Sequence, residues 1–403
     1  MSSEVLLTPQ VISKETLMIL ENNLVMGNKV NRSFENQFVK IGATLTIRKP
    51  NRYTVSQGAG LQVQDIAEPS VTITVDKQRH VDFQFTSADL ALTVEEFSAR
   101  YLKPAMAPLA NQVDYDLLQN SYQISNYVGT PGITPASFSS SVQLTGQRMD
   151  ENAAPQQDRC LVLNPAGYWA MANGLVGSFV MPTAKEALVK GYLSTIGNQE
   201  VYMDQNVPNS TTNAQHNTSV ANITNSTAAG VQGNGNTVSI YGGTALDSYG
   251  IGDVFTVAGV NNINPQSRIS TGQLKNFVVT GVANATASTN TLTFSPSVVT
   301  SGPYQNVSAG INSSQAILWL TGTSAAQIAT PNNIAFARDA FGLVMVPLEI
   351  PQGVDFAARE TYRNISLRVV RAYDINNDVF PTRVDILYGD AVYYDELAVR
   401  LGG

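Results

Sequence analysis

The stretch Thr93–Tyr122, TVEEFSARYLKPAMAPLANQVDYDLLQNSY, carries the longest helical pattern in the chain, and we expect the rest of the fold to be organised around it. Its apolar residues recur every four positions, which places them on one face of a helix. We name this element the spine helix. We expect the following residues to form its core face: Phe97, Tyr101, Leu109, Val113 and Leu117.

Two prolines interrupt this pattern. Pro104 and Pro108 each lack an amide donor and crowd the preceding turn, so the sequence predicts a kink, or two helical segments that meet near Lys103. Thr93 followed three residues later by Glu96 fits a capping box at the start of the helix.

Residues 1–35 have the pattern of an arm with one short helix. Ser13 is the predicted cap, and one side of the helix carries Leu17, Leu20 and Leu24. Three leucines bury little surface by themselves. We therefore expect the arm to lie either on its own domain or on a neighbouring subunit, and these leucines are candidate contact residues.

The period changes to two from Gly42 to Phe85, which predicts half-buried strands. Between two of the strands lies a polar, glycine-rich excursion, RKPNRYTVSQGAGLQVQDIAEPS, at positions 48–70. A two-stranded hairpin is marginal alone in water, so we expect this one to rest on another chain. Its basic residues either are solvated or contact an acidic patch on a neighbour. The candidate contact residues are Arg48, Lys49, Arg52, Tyr53, Asp65 and Glu68.

A compositional break marks residues 209–330, which hold only four charged residues: Asp247, Asp253, Arg268 and Lys275. Short β-type runs spaced by Gly, Asn, Ser and Pro predict a small all-β barrel or sandwich. These runs are 237–241, 253–258, 276–282, 291–295 and 316–320. The first stretch, 209–236, is nearly all small polar residues, and we expect a mobile loop there.

The segments on either side of this module are similar to each other in composition and pattern. Before it, the pattern predicts a loop over 128–143, a strand at Cys160–Leu163, a helix over Pro165–Gly174 capped by Asn164, and a short helix over 184–189. After it, residues 365–369 and 384–388 alternate as strands, with a turn at 374–378. The module is therefore inserted, and the two flanks must fold together.

Composition narrows the function. The chain has 403 residues, a net charge of −7 and 14% charged residues, which argues against tight binding to nucleic acid. The single cysteine excludes an internal disulfide and fits a reducing compartment. The first residues lack a signal-peptide pattern and no long apolar run occurs, so we expect a soluble cytoplasmic product that does not contact a membrane.

The sequence offers little for catalysis. His80 and His216 lack metal-ligand spacing, Cys160 opens a buried strand, and Asp114 and Asp116 are two positions apart on a helix and so point to different faces. We predict no catalytic residues, no metal, no cofactor and no enzymatic activity.

Three stretches resemble the major capsid proteins of tailed phages with the HK97-like fold, in particular the short-tailed-phage coat proteins that carry an inserted β-barrel, the I-domain. They are Phe85–Leu118, Gly252–Thr280 and Asn332–Leu348. The resemblance implies an α+β fold with these parts: N-arm 1–35, E-loop hairpin region 36–85, P-domain with the spine helix 86–160, first part of the A-domain 161–208, I-domain 209–330, and return to A-domain and P-domain strands 331–403.

The same resemblance implies a function. Such a protein assembles with itself as hexamers and pentamers into an icosahedral shell around double-stranded DNA. Its further implied partners are a scaffolding protein, a portal protein, weakly contacted packaged DNA and, in some relatives, a decoration protein. Two alternatives stay open at this stage: an exported or surface β-rich binding or fibre protein, and an encapsulin-like shell for an enzyme cargo.

Overall fold

The computed structural model describes residues 9–33, 44–64, 68–86, 94–137, 141–176, 193, 195–211, 221–226, 235–241, 250–286, 289–312, 315–321, 329–354 and 356–403. It is a mixed α+β structure, as the sequence predicts. The helices are α1 Pro9–Asn23, α2 Val94–Phe97, α3 Lys103–Gln119, α4 Val142–Glu151 and α5 Pro165–Val176.

The strands, in chain order, are β1 Thr44–Arg48, β2 Ser70–Thr74, β3 Lys77–Thr86, β4 Tyr127–Val128, β5 Arg159–Leu163, β6 Thr195–Ile196, β7 Gln199–Met203, β8 Asn209–Thr211, β9 Ala221–Ser226, β10 Gly235–Tyr241, β11 Val254–Ile263, β12 Ser270–Thr286, β13 Thr289–Val298, β14 Ala316–Trp319, β15 Ala329–Pro331, β16 Asn333–Ala337, β17 Phe341–Met345, β18 Phe356–Tyr362, β19 Ile365–Arg371, β20 Val379–Val392 and β21 Ala398–Leu401.

The chain divides into two compact units. The first comprises Met1–Lys49, Ser70–Leu118 and Phe341–Ala391, and the second comprises Pro50–Pro69, Gln119–Ala340 and Val392–Gly403. Each unit therefore combines segments from before and after the charge-poor module, as expected if that module is inserted.

The spine helix belongs to the first unit and is irregular where its prolines predict. A π-helical turn, Ser98–Leu102, follows α2, and regular α-helix resumes at Lys103, whose amide donates to the carbonyl of Ser98. Pro104, which has no amide donor, comes directly after this turn, and Pro108 lies inside α3. The irregularity is therefore next to Lys103, where the sequence predicts a kink or a junction of two segments.

A five-stranded sheet underlies the spine helix in this unit. It has the order β17-β20-β19-β18, and β3 pairs with β20 along its length, from Thr86 opposite Val379 to Lys77 opposite Tyr388. The predicted strands at 365–369 and 384–388 are both in it, whereas β18 was not predicted. A separate two-stranded sheet joins β1 to β2, from Thr44 opposite Thr74 to Arg48 opposite Ser70, and forms the predicted hairpin.

Helix α1 packs on β18 and β19 of its own chain. The prediction that Ser13 caps this helix is wrong, because α1 begins at Pro9 and Ser13 lies inside it, where its hydroxyl donates to the carbonyl of Gln10 at 3.1 Å. The cap prediction failed because the helix begins about two turns before Leu17, the first residue of the leucine pattern.

The second unit contains a six-stranded mixed sheet of order β4-β21-β16-β5-β7-β6. Strand β16 lies between β5 and β21, so chain from after the charge-poor module pairs with chain from before it. Helix α5 begins where predicted, and Asn164 Oδ1 accepts a hydrogen bond from the Gly167 amide at 2.9 Å. Helix α4 was not predicted. It begins at Val142, so the predicted loop over 128–143 ends earlier than expected.

The charge-poor module forms a closed six-stranded barrel of order β10-β13-β12-β11-β14-β9. All five predicted β runs are strands of this barrel. The expectation of a mobile loop over 209–236 is wrong in two places: β8 pairs with β15, and β9 pairs with both β10 and β14 to close the barrel. Three buried phenylalanines, Phe255, Phe277 and Phe294, fill the interior, so the barrel is a packed core.

Four sequence predictions lie outside the described residues. They concern Thr93 as a cap, Asp65 as a contact residue, His216, and the helix over 184–189.

Candidate functional site

The excursion between β1 and β2 ends in a tip of extended chain, residues 53–63, that displays apolar side chains to solvent. Val55 is fully exposed, and Leu61, Val63 and Tyr53 are 91%, 83% and 62% exposed. Below the turn, the side-chain amide of Gln64 donates to the carbonyl of Thr54 at 2.5 Å and accepts from its amide at 2.8 Å. These two bonds join the two arms of the tip, and we name residues 53–63 the apolar tip.

The predicted contact residues of the excursion differ in their exposure. Arg48 and Glu68 are exposed, Lys49 is half-buried, and Tyr53 is part of the tip itself. Arg52 differs from them because its guanidinium is engaged within its own subunit, where Nη2 lies 2.6 Å from Glu396 Oε2. The apolar residues Val55, Leu61 and Val63 were missed, although their alternation on both sides of Gly58 and Gly60 is a period-two signal.

The predicted arm residues Leu17, Leu20 and Leu24 are buried within the subunit. The arm is therefore held by its own domain, the first of the two possibilities that the sequence left open. The carboxylate of Asp114 in α3 accepts hydrogen bonds from the amides of Val25 at 2.7 Å and Gly27 at 2.8 Å. This carboxylate ties the chain after α1 to the spine helix.

The predicted core face of the spine helix is present. Phe97, Leu109, Val113 and Leu117 are buried. Tyr101 is only partly buried, with its ring centroid 5.2 Å from that of Phe97.

Asp116, two residues after Asp114 in α3, contacts residues of the sheet. Its Oδ2 accepts hydrogen bonds from the hydroxyl of Tyr388 at 2.6 Å and from Arg79 Nη2 at 3.0 Å, and its Oδ1 accepts from Gln112 at 2.8 Å. Burial alone would raise the pKa of the Asp116 carboxyl, but the bonds from Tyr388 and Arg79 outweigh it and hold the pKa below its usual value. Both aspartates of the helix therefore anchor the fold and are not arranged for shared acid-base chemistry.

The barrel joins the mixed sheet of the second unit through buried polar groups. Arg148 of α4 donates to Asn276 Oδ1 at 2.7 Å and to the carbonyl of Leu274 at 2.9 Å, and the Asn276 amide donates to the carbonyl of Tyr127 at 3.0 Å. Arg400 of β21 donates to the carbonyl of Gly252 at 2.7 Å. These bonds hold strand β12 and the chain that enters β11 to α4, β4 and β21.

Burial governs the charges at this junction. It lowers the pKa of Arg400 to about 10, and it raises the pKa of the neighbouring Tyr127 to about 12. It also lowers the pKa of Lys275, whose Nζ lies 3.1 Å from Asn262 Oδ1. The junction thus contains cations that are held by amides and carbonyls.

The described residues include no group of three or more His, Cys, Asp or Glu side chains placed to hold a metal ion. Cys160 is buried in β5, and His80 Nδ1 lies 3.0 Å from Asp82 in β3. Within the same part of the chain, no helix combines the length and apolarity that crossing a membrane requires.

Residues 1–403 match the family described as P22 coat protein - gene protein 5. No curated protein sequence matches the chain. Among solved structures, one from Mycobacterium phage Che8 is 12% identical with a TM-score of 0.47, over 94% of this chain and 90% of that one.

Two further structures are similar to parts or all of the chain. The CUS-3 coat protein I-domain is 28% identical with a TM-score of 0.20, over 26% of this chain and 96% of that one. The capsid of a native GTA particle is 8% identical with a TM-score of 0.43, over 96% of this chain and 90% of that one.

Proposed function

The chain belongs to the P22 coat protein family, and we propose that its copies assemble as hexamers and pentamers into the icosahedral shell of a tailed phage. The observation that carries this proposal is the family match along residues 1–403, because it covers the barrel, the sheets, the spine helix and the hairpin together. The role is structural, and the subunit works by contact with further copies of itself.

The apolar tip supports this proposal. Tyr53, Val55, Leu61 and Val63 project from a polar excursion and are exposed in the single subunit. Burying a Val or Leu side chain contributes roughly 1.5–3 kcal/mol before the costs of association are counted. A shell subunit makes several such contacts at once, so that modest individual interfaces add up to a closed particle.

The remaining partners are inferred from the family. We propose that a scaffolding protein directs closure of a precursor shell in the bacterial cytoplasm and that a portal protein occupies one vertex. We also propose that the packaged double-stranded DNA is contacted only weakly, since the chain carries a net charge of −7. A decoration protein is a further candidate partner.

Electron microscopy of the expressed protein, alone and with the scaffolding protein of the same phage, tests assembly. We expect closed shells tens of nanometres across with hexameric and pentameric units. A subunit that stays monomeric or trimeric in both samples would refute the proposed function.

The triple variant V55S/L61S/V63S tests the role of the tip. We expect a folded subunit that fails to close shells, because the variant lacks the exposed apolar side chains. Ile269→Ser is the control, since it removes a side chain that is 69% exposed on the barrel. Normal shells from the triple variant would show that the tip does not hold copies together.

A further inference from the structure

The apolar tip is uncovered, but its root is firmly held. Arg52 lies immediately before Tyr53, and its guanidinium meets the Glu396 carboxylate in a two-point contact, with Nη2 to Oε2 at 2.6 Å and Nη1 to Oε1 at 3.4 Å. The Arg52 amide also donates to the Tyr304 hydroxyl at 3.4 Å, and its guanidinium stands 6.0 Å from the centroid of that ring. Such a two-point pair fixes direction as well as distance.

Both groups that hold Arg52 are themselves fixed. Glu396 lies in the short turn Asp395–Leu397, whose carbonyls accept hydrogen bonds from the buried side chain of Asn126: 3.3 Å to Asp395 O, 3.5 Å to Glu396 O and 3.0 Å to Ala398 O. Tyr304 follows a turn whose carbonyls at Gly302 and Pro303 accept hydrogen bonds from Arg268. The root is therefore clamped to two segments of the second unit that are themselves held by hydrogen bonds.

The clamp ends where the apolar tip begins. Arg52 is half-buried, whereas Tyr53 and Val55 are exposed, so the clamp does not cover the apolar side chains. A contact that served to keep the tip from binding would bury those side chains. This arrangement instead holds them in one place while leaving them open to a partner.

We propose that Arg52, clamped by Glu396 and Tyr304, is a positioning residue that preorganises the apolar tip for docking on a second copy of this chain. Holding the root beforehand removes part of the ordering entropy that docking would otherwise cost. The inference rests on the proposed function, because it assigns the second copy as the partner of the tip.

The first test measures the clamp in the unassembled subunit. Spin labels at A59C on the tip and Q273C on the barrel report the distance distribution by pulsed electron spin resonance, while the native Cys160 is buried. We expect a narrow distribution for the parent, a broad one for Arg52→Ala, and a narrow one again for the charge-exchanged pair R52E/E396R. Equal widths for parent and Arg52→Ala would overturn the clamp whether or not shells form.

The second test measures assembly by light scattering with scaffolding protein present. We expect Arg52→Ala to lower the assembly rate about tenfold, which corresponds to about 1.4 kcal/mol, and R52E/E396R to recover most of it. Arg363→Ala is the matched control, since Arg363 forms an Arg–Glu pair with Glu21 in the first unit, in which Nη1 lies 3.1 Å from Oε1.

The outcomes separate the two proposals. A rate for Arg52→Ala equal to or above that of the parent would overturn the positioning role, as would failure of the exchanged pair to recover. Absence of shells from the parent itself would refute the proposed function and the docking partner, while the spin-label widths would still decide the clamp.

Discussion

Replacing Tyr388 by phenylalanine should loosen the spine helix from the sheet beneath it. Tyr388 in β20 is fully buried, and its hydroxyl donates to Asp116 Oδ2 in α3 at 2.6 Å. Phenylalanine keeps the ring and its packing, so the substitution removes the hydroxyl, with its hydrogen bond to Asp116 and its contact with Arg79. It thereby isolates one connection between helix and sheet.

The magnitude follows from the partners that stay. A hydrogen bond to a charged group contributes about 1.5–3 kcal/mol, and Oδ2 would retain Arg79 at 3.0 Å. We therefore expect a loss of about 2 kcal/mol. In a double-mutant cycle with Asp116→Asn, the two changes should be non-additive by about 1 kcal/mol or more, because Asn removes the charge that strengthens the bond from Tyr388 and phenylalanine removes the bond itself.

Hydrogen exchange of the α3 amides is the suitable assay, since it reports the opening free energy of this helix and not of the whole chain. Tyr373→Phe is the matched control. It removes a hydroxyl that donates to Asp378 at 3.1 Å on an exposed turn of the same sheet, and it should leave α3 exchange unchanged.

The pH dependence has a definite sign. Because the pKa of Asp116 is lower in the folded chain than in the unfolded one, its contribution is present above the usual carboxyl pKa of about 4 and is lost as the pH falls through the lowered value. Asp116→Asn should remove that part of the acid dependence. A loss below about 0.5 kcal/mol in Tyr388→Phe, or an additive cycle, would contradict the reasoning.

Three further predictions concern stability, each measured by thermal or urea unfolding. Phe277→Ala should destabilise the barrel by about 3–5 kcal/mol, because Phe277 is fully buried between Phe255 and Phe294. The fluorescence of Trp319 reports unfolding of the barrel, and an unfolding transition that does not shift would contradict the prediction. Lys275→Met should stabilise the barrel by about 1 kcal/mol, since burial disfavours the ammonium and lowers its pKa. This gain in stability should shrink as the pH rises from the lowered pKa towards the ordinary lysine pKa of about 10.4. A lower melting temperature for the variant would contradict this prediction. Gly389→Ala should lower the free energy of unfolding by about 1–3 kcal/mol, because the new Cβ would clash with the carbonyl of Thr74. Gly281→Ala is the control, since a Cβ there would make only ordinary van der Waals contacts. Equal effects of the two substitutions would contradict the predicted clash.

The sequence pattern was sufficient to predict a helix or strand when its buried residues recur at a regular spacing. The four-residue period placed Leu109, Val113 and Leu117 on the buried face of α3, and the two prolines located the irregularity next to Lys103. The five predicted β runs all became barrel strands, because alternation and turn residues directly encode a half-buried strand.

Pattern failed where backbone pairing carried the structure. Strand β9, ANITNS, closes the barrel through hydrogen bonds to β10 and β14, and its small polar side chains give no signal of that role. Helix α4 was missed for a different reason. Its buried residues Val142, Thr145, Arg148 and Met149 have helical spacing, but two of the four are polar, so they do not form an apolar face in the sequence.

Most of the helices and strands, the inserted module, the poor supply of catalytic groups and the resemblance to coat proteins could be predicted from the sequence, because they depend on residues that are near one another along the chain. The pairing of Arg52 with Glu396 and of Asp116 with Tyr388 could not, since these partners are separated by 344 and 272 positions. A charged side chain can pair with any opposite charge or hydrogen-bond donor, and the folded backbone selects which one comes within hydrogen-bonding distance.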